Sequence, residues 1–324
     1  MNILVTGAGG FIGQALASAL LQDPDVSNLS LTDVFEPTLP SSSISYNVRC
    51  IKADLTSVET CESLFTRDLT VVYLLHGLMS GAAEENLELG LKVNIDSMRQ
   101  ILDILRRVNS SVKVVYPSSI AVYGPPEGDD KVVTEQTTPL PGSSYGAQKL
   151  ICETLLNDYS RRGILDGRIL RLPTVVVRPG APSGAASSFA SGIFREPLKG
   201  EKSVLPVSKD LEMWICSPRT VVKNLVLARN IPKEMFPART RIVNLPGLTV
   251  SVCQMLEALK KVGGEEALSL VEEKRDEAIE RIVETWPTRF DTSRAKRLGF
   301  EDDGKLKDTL QAYIDDYGKE SRLQ

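Results

Sequence analysis

The sequence predicts an α/β fold in which a doubly wound parallel sheet is joined to a smaller, mostly C-terminal α/β lobe. Short apolar, β-branched segments alternate with helical patterns through the first half of the chain. Strands that alternate with helices are typical of right-handed βαβ units, which build a parallel sheet. The segment at residues 71–75 is apolar at every position, as expected for a strand that helices cover on both faces.

The individual elements follow from local patterns along the chain. Apolar, β-branched segments predict strands at residues 2–6, 29–33, 48–52, 71–75, 113–116, 168–177 and 241–244. Apolar residues at helical spacing predict helices at residues 11–21, 91–108, 145–161 and 220–229. We therefore expect a first lobe at residues 1–177, to which residues 215–247 return. Residues 178–214 and 248–324 would form the second lobe.

Composition and charge exclude several classes of protein. The chain has 324 residues, is 42% hydrophobic and carries a net charge of −4, whereas nucleic-acid and membrane-surface proteins are normally basic. No apolar stretch approaches the ~20 residues that span a bilayer, and the N-terminus resembles a first strand more than a signal peptide. The 5 cysteines are scattered without metal-ligand spacing, which predicts reduced thiols, no metal site and a cytoplasmic protein.

A glycine-rich turn separates the first strand from the first helix. Gly7, Gly10 and Gly13 form the pattern G-x-x-G-x-x-G, and Phe11 and Ile12 open the helix. Glycine lets the backbone approach a pyrophosphate closely, and the N-terminus of a helix attracts negative charge. This order of strand, turn and helix predicts a dinucleotide-binding domain of the Rossmann type. A plain strand–helix turn is the alternative.

Two aspartates follow neighbouring strands and are candidates for binding the adenosine part of the cofactor. Asp33 ends the second predicted strand, where a carboxylate accepts hydrogen bonds from the ribose and repels a 2′-phosphate. This favours NAD over NADP, although a helix cap or a loop salt bridge is an alternative role. Asp54, followed by Leu55 after the third strand, either binds the adenine amino group or caps the next helix.

Tyr145 and Lys149 predict an acid/base centre because a spacing of four places both on one face of a helix. A free phenol has a pKa of about 10. We expect the Lys149 ammonium and the positive nicotinamide ring to lower the pKa of Tyr145. Ser119 follows the fifth strand at the same sheet edge, where its hydroxyl would hold the substrate oxygen. Together with the glycine turn, these residues predict an NAD-dependent hydride-transfer enzyme.

Five further residues are weaker candidates. His76, the only histidine, is expected to lie against the cofactor and not to act as a base. Asn94 would tie neighbouring backbone together or order water near Lys149, or it would simply face solvent. Arg178, Arg195 and Arg219 could each bind a substrate carboxylate, with a surface charge as the alternative.

These motifs stand in an order that resembles the extended short-chain dehydrogenase/reductase family over nearly the whole chain. They are T-G-x-x-G-F-I-G from Thr6, S-S-x-x-V-Y-G from Ser118 and S-x-Y-G-x-x-K from Ser143. The resemblance implies NAD as cofactor. It also implies a homodimer formed through the two long helices at residues 91–108 and 145–161.

Within this family the chain is similar to members that oxidise the C2 hydroxyl of a small sugar acid to the 2-keto acid. Segments such as R-L-P-T from Arg171 and A-A-S-S-F from Ala185 carry this likeness. It implies a cofactor contact for Leu75, Gly77, Pro173 and Val175, besides Tyr145 and Lys149, of which Lys149 would bind the nicotinamide ribose. It also implies a substrate contact for Ser80, Thr174, Arg178 and Ser188 (of the Ser187-Ser188 pair), besides Ser119 and Tyr145.

Two alternatives remain open at this point. A nucleotide-sugar 4-epimerase would keep NAD permanently bound, but Thr174 stands where nucleotide-sugar members carry an asparagine. A non-catalytic NAD-sensing protein of the same fold would lack the pair Tyr145 and Lys149.

His76 and Gly77 stand where members of the family usually have two small residues after strand four. This departure could crowd the cofactor or alter the pocket.

Overall fold

The computed structural model describes residues 1–39, 47–125 and 132–318. The last residues of the predicted second lobe therefore lie outside the described part of the chain. The strands are β1 (Asn2–Thr6), β2 (Asn28–Asp33), β3 (Asn47–Lys52), β4 (Val71–Leu74), β5 (Lys113–Ser119), β6 (Val132–Val133), β7 (Asp166–Leu172), β8 (Thr174–Val175), β9 (Ser203–Leu205), β10 (Glu212–Cys216), β11 (Ile242–Asn244), β12 (Leu248–Ser251), β13 (Val271–Glu273) and β14 (Arg289–Phe290).

The α-helices are α1 (Phe11–Leu21), α2 (Val58–Leu64), α3 (Ser80–Glu85), α4 (Leu87–Gly90), α5 (Ser97–Val108), α6 (Ser144–Arg161), α7 (Ser188–Lys199), α8 (Pro218–Asn230), α9 (Val252–Ser269), α10 (Glu277–Val283), α11 (Ser293–Arg297) and α12 (Leu306–Tyr317). A π-helix at Leu91–Asp96 connects α4 with α5.

The central element is a seven-stranded sheet with the order β11-β7-β5-β4-β1-β2-β3. Every neighbouring pair in it is parallel, so the predicted doubly wound α/β fold is confirmed. The strand order reverses between β1 and β4. Ligands of open parallel sheets bind at the carboxyl edge beside such a reversal, and this edge is where the cavity described below lies.

Strand β4 shows why the sheet is buried on both faces. Val71 and Tyr73 belong to an apolar cluster that includes residues of α1 and α8. Val72 and Leu74 belong to a second cluster that includes residues of α2, α5 and α6. Because successive strand residues point to opposite faces, a continuously apolar strand fills both clusters, as the sequence predicts.

The predicted strand at residues 168–177 is divided at Pro173. Its first part, β7, lies in the main sheet, whereas β8 pairs with β10 in a three-stranded sheet. Proline has no backbone N–H to donate to a ladder. The chain therefore leaves the main sheet at its carboxyl edge and enters the second lobe there.

The predicted long helix at residues 91–108 begins as the π-helix and becomes α-helical only at Ser97. Asn94 lies within the π-helix and is buried. Two further short helices, α3 and α4, precede it without a predicted counterpart. π-Helical turns occur frequently at functional sites, and this one packs against α6.

The second lobe has an apolar cluster of its own, built from α7, α9, α10 and α12. One C-terminal segment behaves differently from the predicted division. Ala295, Leu298 and Phe300 pack with the cluster of the main sheet. Among the described residues, no helix is both long enough and apolar enough to cross a membrane.

Candidate active site

A cavity of about 660 Å³ runs along the carboxyl edge of the main sheet and under the second lobe. It falls within the usual range of ligand pockets, about 300–1,000 Å³. The predicted site residues that line it are Gly7, Gly10, Phe11, Ile12, Asp33, Asp54, Leu55, Leu75, Gly77, Ser80, Ser119, Tyr145, Lys149, Pro173, Thr174, Val175 and Arg178.

The glycine turn approaches its neighbours so closely that side chains are excluded. Gly7 has a φ of 65°, and a Cβ there would lie 2.6 Å from the His76 amide nitrogen. A Cβ on Gly13 would lie 2.3 Å from the Gly7 carbonyl oxygen. Helix α1 begins directly after Gly10 without a side-chain cap. The turn therefore offers backbone amides and a helix N-terminus, which fit a dinucleotide pyrophosphate.

The two candidate aspartates lie at the cavity wall near this turn. Asp33 accepts hydrogen bonds from the amides of Gly9 (Oδ2, 2.9 Å) and Val34 (Oδ1, 2.7 Å), which fixes the carboxylate beside the glycine turn. Asp54 accepts from the Thr56 amide at 2.9 Å, and hydrogen bonds to Thr56 hold its pKa below the usual value.

Ser57, and not Asp54, caps helix α2. The Ser57 hydroxyl accepts a hydrogen bond from the Thr60 amide at 3.2 Å. The capping alternative for Asp54 is therefore wrong, and its role in binding adenine stays a prediction.

Helix α6 carries Tyr145 in its first turn, and Ser143 caps it by accepting from the Gly146 amide at 3.2 Å. A Cβ on Gly146 would lie 2.0 Å from the Ala121 carbonyl oxygen. This close contact brings the start of α6, which carries Tyr145, against the segment that directly follows Ser119, the last residue of β5. The Ser119 hydroxyl accepts from the Ala121 amide at 3.1 Å, so its proton is left for a ligand oxygen.

Lys149 is buried next to Tyr145. Its Nζ donates to the Pro117 carbonyl oxygen at 2.8 Å and lies 4.5 Å from the ring centroid of Tyr116. Burial lowers the pKa of Lys149 to about 8, opposed by the charge of Glu153 among other neighbours.

The Tyr145 phenol lies in the wall of the cavity. Burial raises the pKa of Tyr145 to about 12, and the charge that opposes this rise is the Arg178 guanidinium. Lys149 Nζ lies 5.6 Å from the Tyr145 ring centroid. The prediction that Lys149 and the nicotinamide ring together lower the pKa of Tyr145 stays a prediction.

Arg178 is 7% exposed and projects into the cavity. Its Nε donates to the Val175 carbonyl oxygen at 3.0 Å, Nη1 to the Ser183 hydroxyl at 3.2 Å and Nη2 to the Ser187 hydroxyl at 2.5 Å. Three of its five N–H groups are thereby used, and one on each terminal nitrogen remains. Burial, with a further contribution from Arg195, lowers the pKa of Arg178 to about 10, while Tyr145 opposes this change.

The other two candidate arginines are neutralised by acidic neighbours. Arg195 pairs with Glu196 at 2.5 Å, and Arg219 pairs with Asp316 at 2.7 Å. Within the described residues, Arg178 makes no ion pair with a carboxylate. A buried cation of this kind needs an anion, and the cavity is where the anion can reach it.

His76 lines the cavity and is held from both ring nitrogens. Nδ1 lies 2.8 Å from Thr6 Oγ1, and Nε2 lies 2.9 Å from Ser97 Oγ. The Ser97 hydroxyl donates to the Val93 carbonyl oxygen at 2.6 Å, and the Thr6 hydroxyl donates to the Tyr73 carbonyl oxygen at 3.2 Å. Burial, together with the charge of Lys149, lowers the pKa of His76 to about 3.

Asn94 joins neighbouring segments of backbone by hydrogen bonds, which is one of the roles predicted for it. Its Oδ1 accepts from the Leu78 amide at 2.7 Å, and its Nδ2 donates to the Leu78 carbonyl oxygen at 3.1 Å. Nδ2 also donates to Gln148 Oε1 at 2.7 Å. The π-helix and α6 are thereby joined to the segment that follows β4.

The two serines of the predicted Ser187-Ser188 pair differ in their surroundings. Ser188 does not line the cavity, since its hydroxyl accepts from the Ser183 amide at 3.0 Å. Ser187 lines the cavity instead and binds Arg178. Helix α7 begins at Ser188, which turns the two adjacent hydroxyls in different directions. Trp286 also lines the cavity, and its position late in the chain gave no signal in the sequence.

The model of the NAD dependent epimerase/dehydratase family matches residues 3–214. The chain belongs to this family. It is 40% identical over 319 residues to D-erythronate dehydrogenase of Haemophilus influenzae, and the aligned region covers 97% of this chain and 99% of the relative. It is 41% identical over 330 residues to D-erythronate dehydrogenase of Cupriavidus necator, with 98% and 99% covered.

The fold is also similar to that of a solved structure over nearly the full length of both chains. The nucleoside-diphosphate-sugar epimerase from Agrobacterium tumefaciens has a TM-score of 0.92 and is 38% identical, covering 100% of this chain and 96% of that chain. The family and the relatives make this protein an NAD-dependent oxidoreductase whose cofactor is NAD. The two D-erythronate dehydrogenases support dehydrogenase activity and do not favour the epimerase alternative.

Proposed function

We propose that this protein oxidises the C2 hydroxyl of a small sugar acid, such as D-erythronate, to the 2-keto acid. The observation that carries the proposal is Arg178, a buried guanidinium in the cavity that makes no ion pair with a carboxylate of the described residues. Its two remaining N–H groups suit the two oxygens of a substrate carboxylate. The names of the two D-erythronate dehydrogenases support the same substrate class.

Four residues of the chain have a role in the proposed reaction. Tyr145, as the phenolate, takes the proton of the C2 hydroxyl. Ser119 donates a hydrogen bond to the same oxygen while it becomes a carbonyl. Lys149, held by Pro117, keeps a positive charge beside the phenolate. Arg178 holds the carboxylate and thereby orients C2 toward Tyr145.

NAD, when bound, supplies the hydride acceptor. In this proposal the turn at Gly7 and Gly10, with Phe11 and Ile12, holds the pyrophosphate, and Asp33 accepts hydrogen bonds from the adenosine ribose. Asp54 and Leu55 meet the adenine. Leu75, Gly77, Pro173 and Val175, which line the cavity, would hold the nicotinamide. Ser80 and Thr174 complete the substrate wall, where Ser187 replaces Ser188.

We also propose that the protein is a homodimer in the cytoplasm. Leu87 and Leu91 are 55% and 40% exposed, and Ile151 on α6 is 47% exposed. α4 and the π-helix lie beside α6, so these side chains suit a helix-to-helix interface between two copies. All five cysteines are free thiols, as expected in a reducing compartment. Light scattering on the purified protein tests the dimer.

The substrate proposal is tested by following NADH absorbance at alkaline pH. Purified protein and NAD are mixed with a panel of four- to six-carbon sugar acids. We expect stoichiometric NADH formation with D-erythronate or a related acid. No NADH with any acid, together with NAD retained by the purified protein, would contradict the proposal and favour a nucleotide-sugar epimerase.

A further inference from the structure

Two segments from the two lobes meet beside Arg178. The Gly81 amide, near the start of α3, donates to the Gly184 carbonyl oxygen at 2.9 Å, and the Ala82 amide donates to the same oxygen at 3.3 Å. In the opposite direction, the Ala186 amide donates to Ser80 Oγ at 3.0 Å. We call this contact, formed by residues 80–82 and residues 184–186, the clasp.

The clasp depends on a close approach that only glycine permits at one position. A Cβ on Gly81 would lie 2.6 Å from the Gly184 carbonyl oxygen, a backbone atom that can move away only if the segment moves. A Cβ on Gly184 would lie 3.7 Å from the Ala82 Cβ, which is an ordinary contact. The two glycines of the clasp are therefore not equivalent.

Both sides of the clasp border the same end of the cavity. Met79 and Ser80 line it from the first lobe, and Ser183, Ala185 and Ser187 line it from the second. The loop that forms the second side is fixed at both ends. Ser183 and Ser187 bind Arg178, and the Arg178 amide donates to the Ser191 hydroxyl at 3.0 Å. Between these anchors, the hydrogen bonds to α3 hold the loop over the cavity.

We infer that the clasp limits the length of the substrate, an inference that rests on the proposed function. With the carboxylate on Arg178 and the C2 oxygen at Tyr145, this inference places the remaining carbons of the acid in the part of the cavity that Met79, Ser80 and Ala185 line. A short acid leaves the hydrogen bonds of Gly81 and Ala82 intact. A longer acid reaches the clasp and must separate Gly81 from Gly184. Gly81 is thus a specificity-determining residue.

The test compares a four-carbon acid, D-erythronate, with D-allonate, a six-carbon acid of the same configuration at C2 and C3, in the wild-type protein and in Gly81→Ala. The added methyl group separates the two segments, so the longer acid no longer has to break the hydrogen bonds. The ratio of kcat/KM for the six-carbon acid to that for the four-carbon acid is expected to rise about tenfold.

Gly184→Ala is the matched control because it adds the same methyl group to the other side of the clasp without a clash. Its ratio is expected to equal that of the wild type. NAD affinity, measured by the quenching of protein fluorescence, shows that each variant is folded. An unchanged ratio in Gly81→Ala, or an equal rise in Gly184→Ala, would overturn the inference that the clasp limits substrate length and would leave the proposed function standing. If the wild-type protein oxidises neither these acids nor any other sugar acid, the proposed function fails and the clasp fails with it.

Discussion

Nη2 of Arg178 donates a hydrogen bond to the Ser187 hydroxyl at 2.5 Å. This bond, with those to Val175 and Ser183, orients the guanidinium before any ligand arrives. Side chains that are held in their binding geometry in advance lose less entropy when they bind. Arg178 is also the charge that opposes the raised pKa of Tyr145. The anion-binding group and the proposed base are therefore electrostatically coupled.

The first prediction concerns Arg178→Met, which keeps most of the side-chain volume and removes the charge. Loss of one partner of a buried, hydrogen-bonded charge pair costs about 2–5 kcal/mol. We expect kcat/KM for the sugar acid to fall at least about 30-fold, measured as the initial rate of NADH formation. NAD affinity should change little, because Arg178 is assigned to the substrate.

Arg219→Gln is the control for that prediction. Arg219 is a surface residue whose guanidinium pairs with Asp316, and exposed ion pairs contribute little. Its kcat/KM is expected to stay within about twofold of the wild-type value. Equal losses in both variants would show that general electrostatics, and not a carboxylate site at Arg178, accounts for the effect.

The second prediction is that Tyr145→Phe removes the proposed base. A positioned general base contributes about 10²–10⁴-fold to the rate, so kcat is expected to fall by that factor. Tyr159→Phe makes the same change on the same helix, α6, outside the cavity and should retain the wild-type rate. NAD binding, followed by fluorescence, should be similar in all three proteins. A Tyr145→Phe rate near that of the wild type would exclude the mechanism.

The third prediction concerns the choice between NAD and NADP. Asp33→Ala removes a carboxylate that repels a 2′-phosphate and accepts bonds from the ribose. A hydrogen bond to a charged group contributes about 1.5–3 kcal/mol. We therefore expect the ratio of kcat/KM for NAD to that for NADP to fall at least about tenfold. Asp54→Asn, in the same cavity, should affect both cofactors equally. An unchanged ratio in Asp33→Ala would remove Asp33 from this role.

Much of the main sheet can be predicted from the sequence because its strands are local features. β4 is apolar at each position since both faces are buried, and that pattern is visible without a structure. The division of the strand at Pro173 is less visible, because it depends on the pairing of β8 with the distant β10. The π-helix is also less visible, and its residue Asn94 makes hydrogen bonds to Leu78, a residue of a separate segment.

Some residues of the candidate site can likewise be predicted from local sequence, whereas the roles of others depend on distant neighbours. Gly7, Tyr145 and Lys149 are recognised by spacing along one segment. The three candidate arginines look alike in the sequence, and their carboxylate neighbours distinguish them. Glu196 follows Arg195 directly, which was a usable local signal, whereas Asp316 reaches Arg219 from α12. Which of two adjacent serines faces the cavity was decided by the start of α7.

The last prediction concerns His76 and the stability of the fold in acid. The pKa of His76 is lowered from 6.5 to about 3, so the folded protein keeps this imidazole neutral while the unfolded chain binds a proton below about pH 6.5. The unfolded state then holds more protons, and the free energy of unfolding falls as the pH falls from about 6.5 to about 3. The slope from this one group reaches about 1.4 kcal/mol per pH unit.

Urea unfolding of the wild-type protein and of His76→Gln at several pH values between 4 and 7 measures this contribution. Carboxylates with lowered pKa values, such as Asp103, also destabilise the fold in acid, but they do so equally in both proteins. The difference between the two slopes therefore isolates the imidazole, since His76 is the only histidine of the chain. As the pH falls, we expect the free energy of unfolding to decrease less steeply in His76→Gln than in the wild-type protein. The difference between the two slopes should reach up to about 1.4 kcal/mol per pH unit, the value for one proton. Parallel curves would mean that His76 binds a proton equally well in the folded and unfolded states.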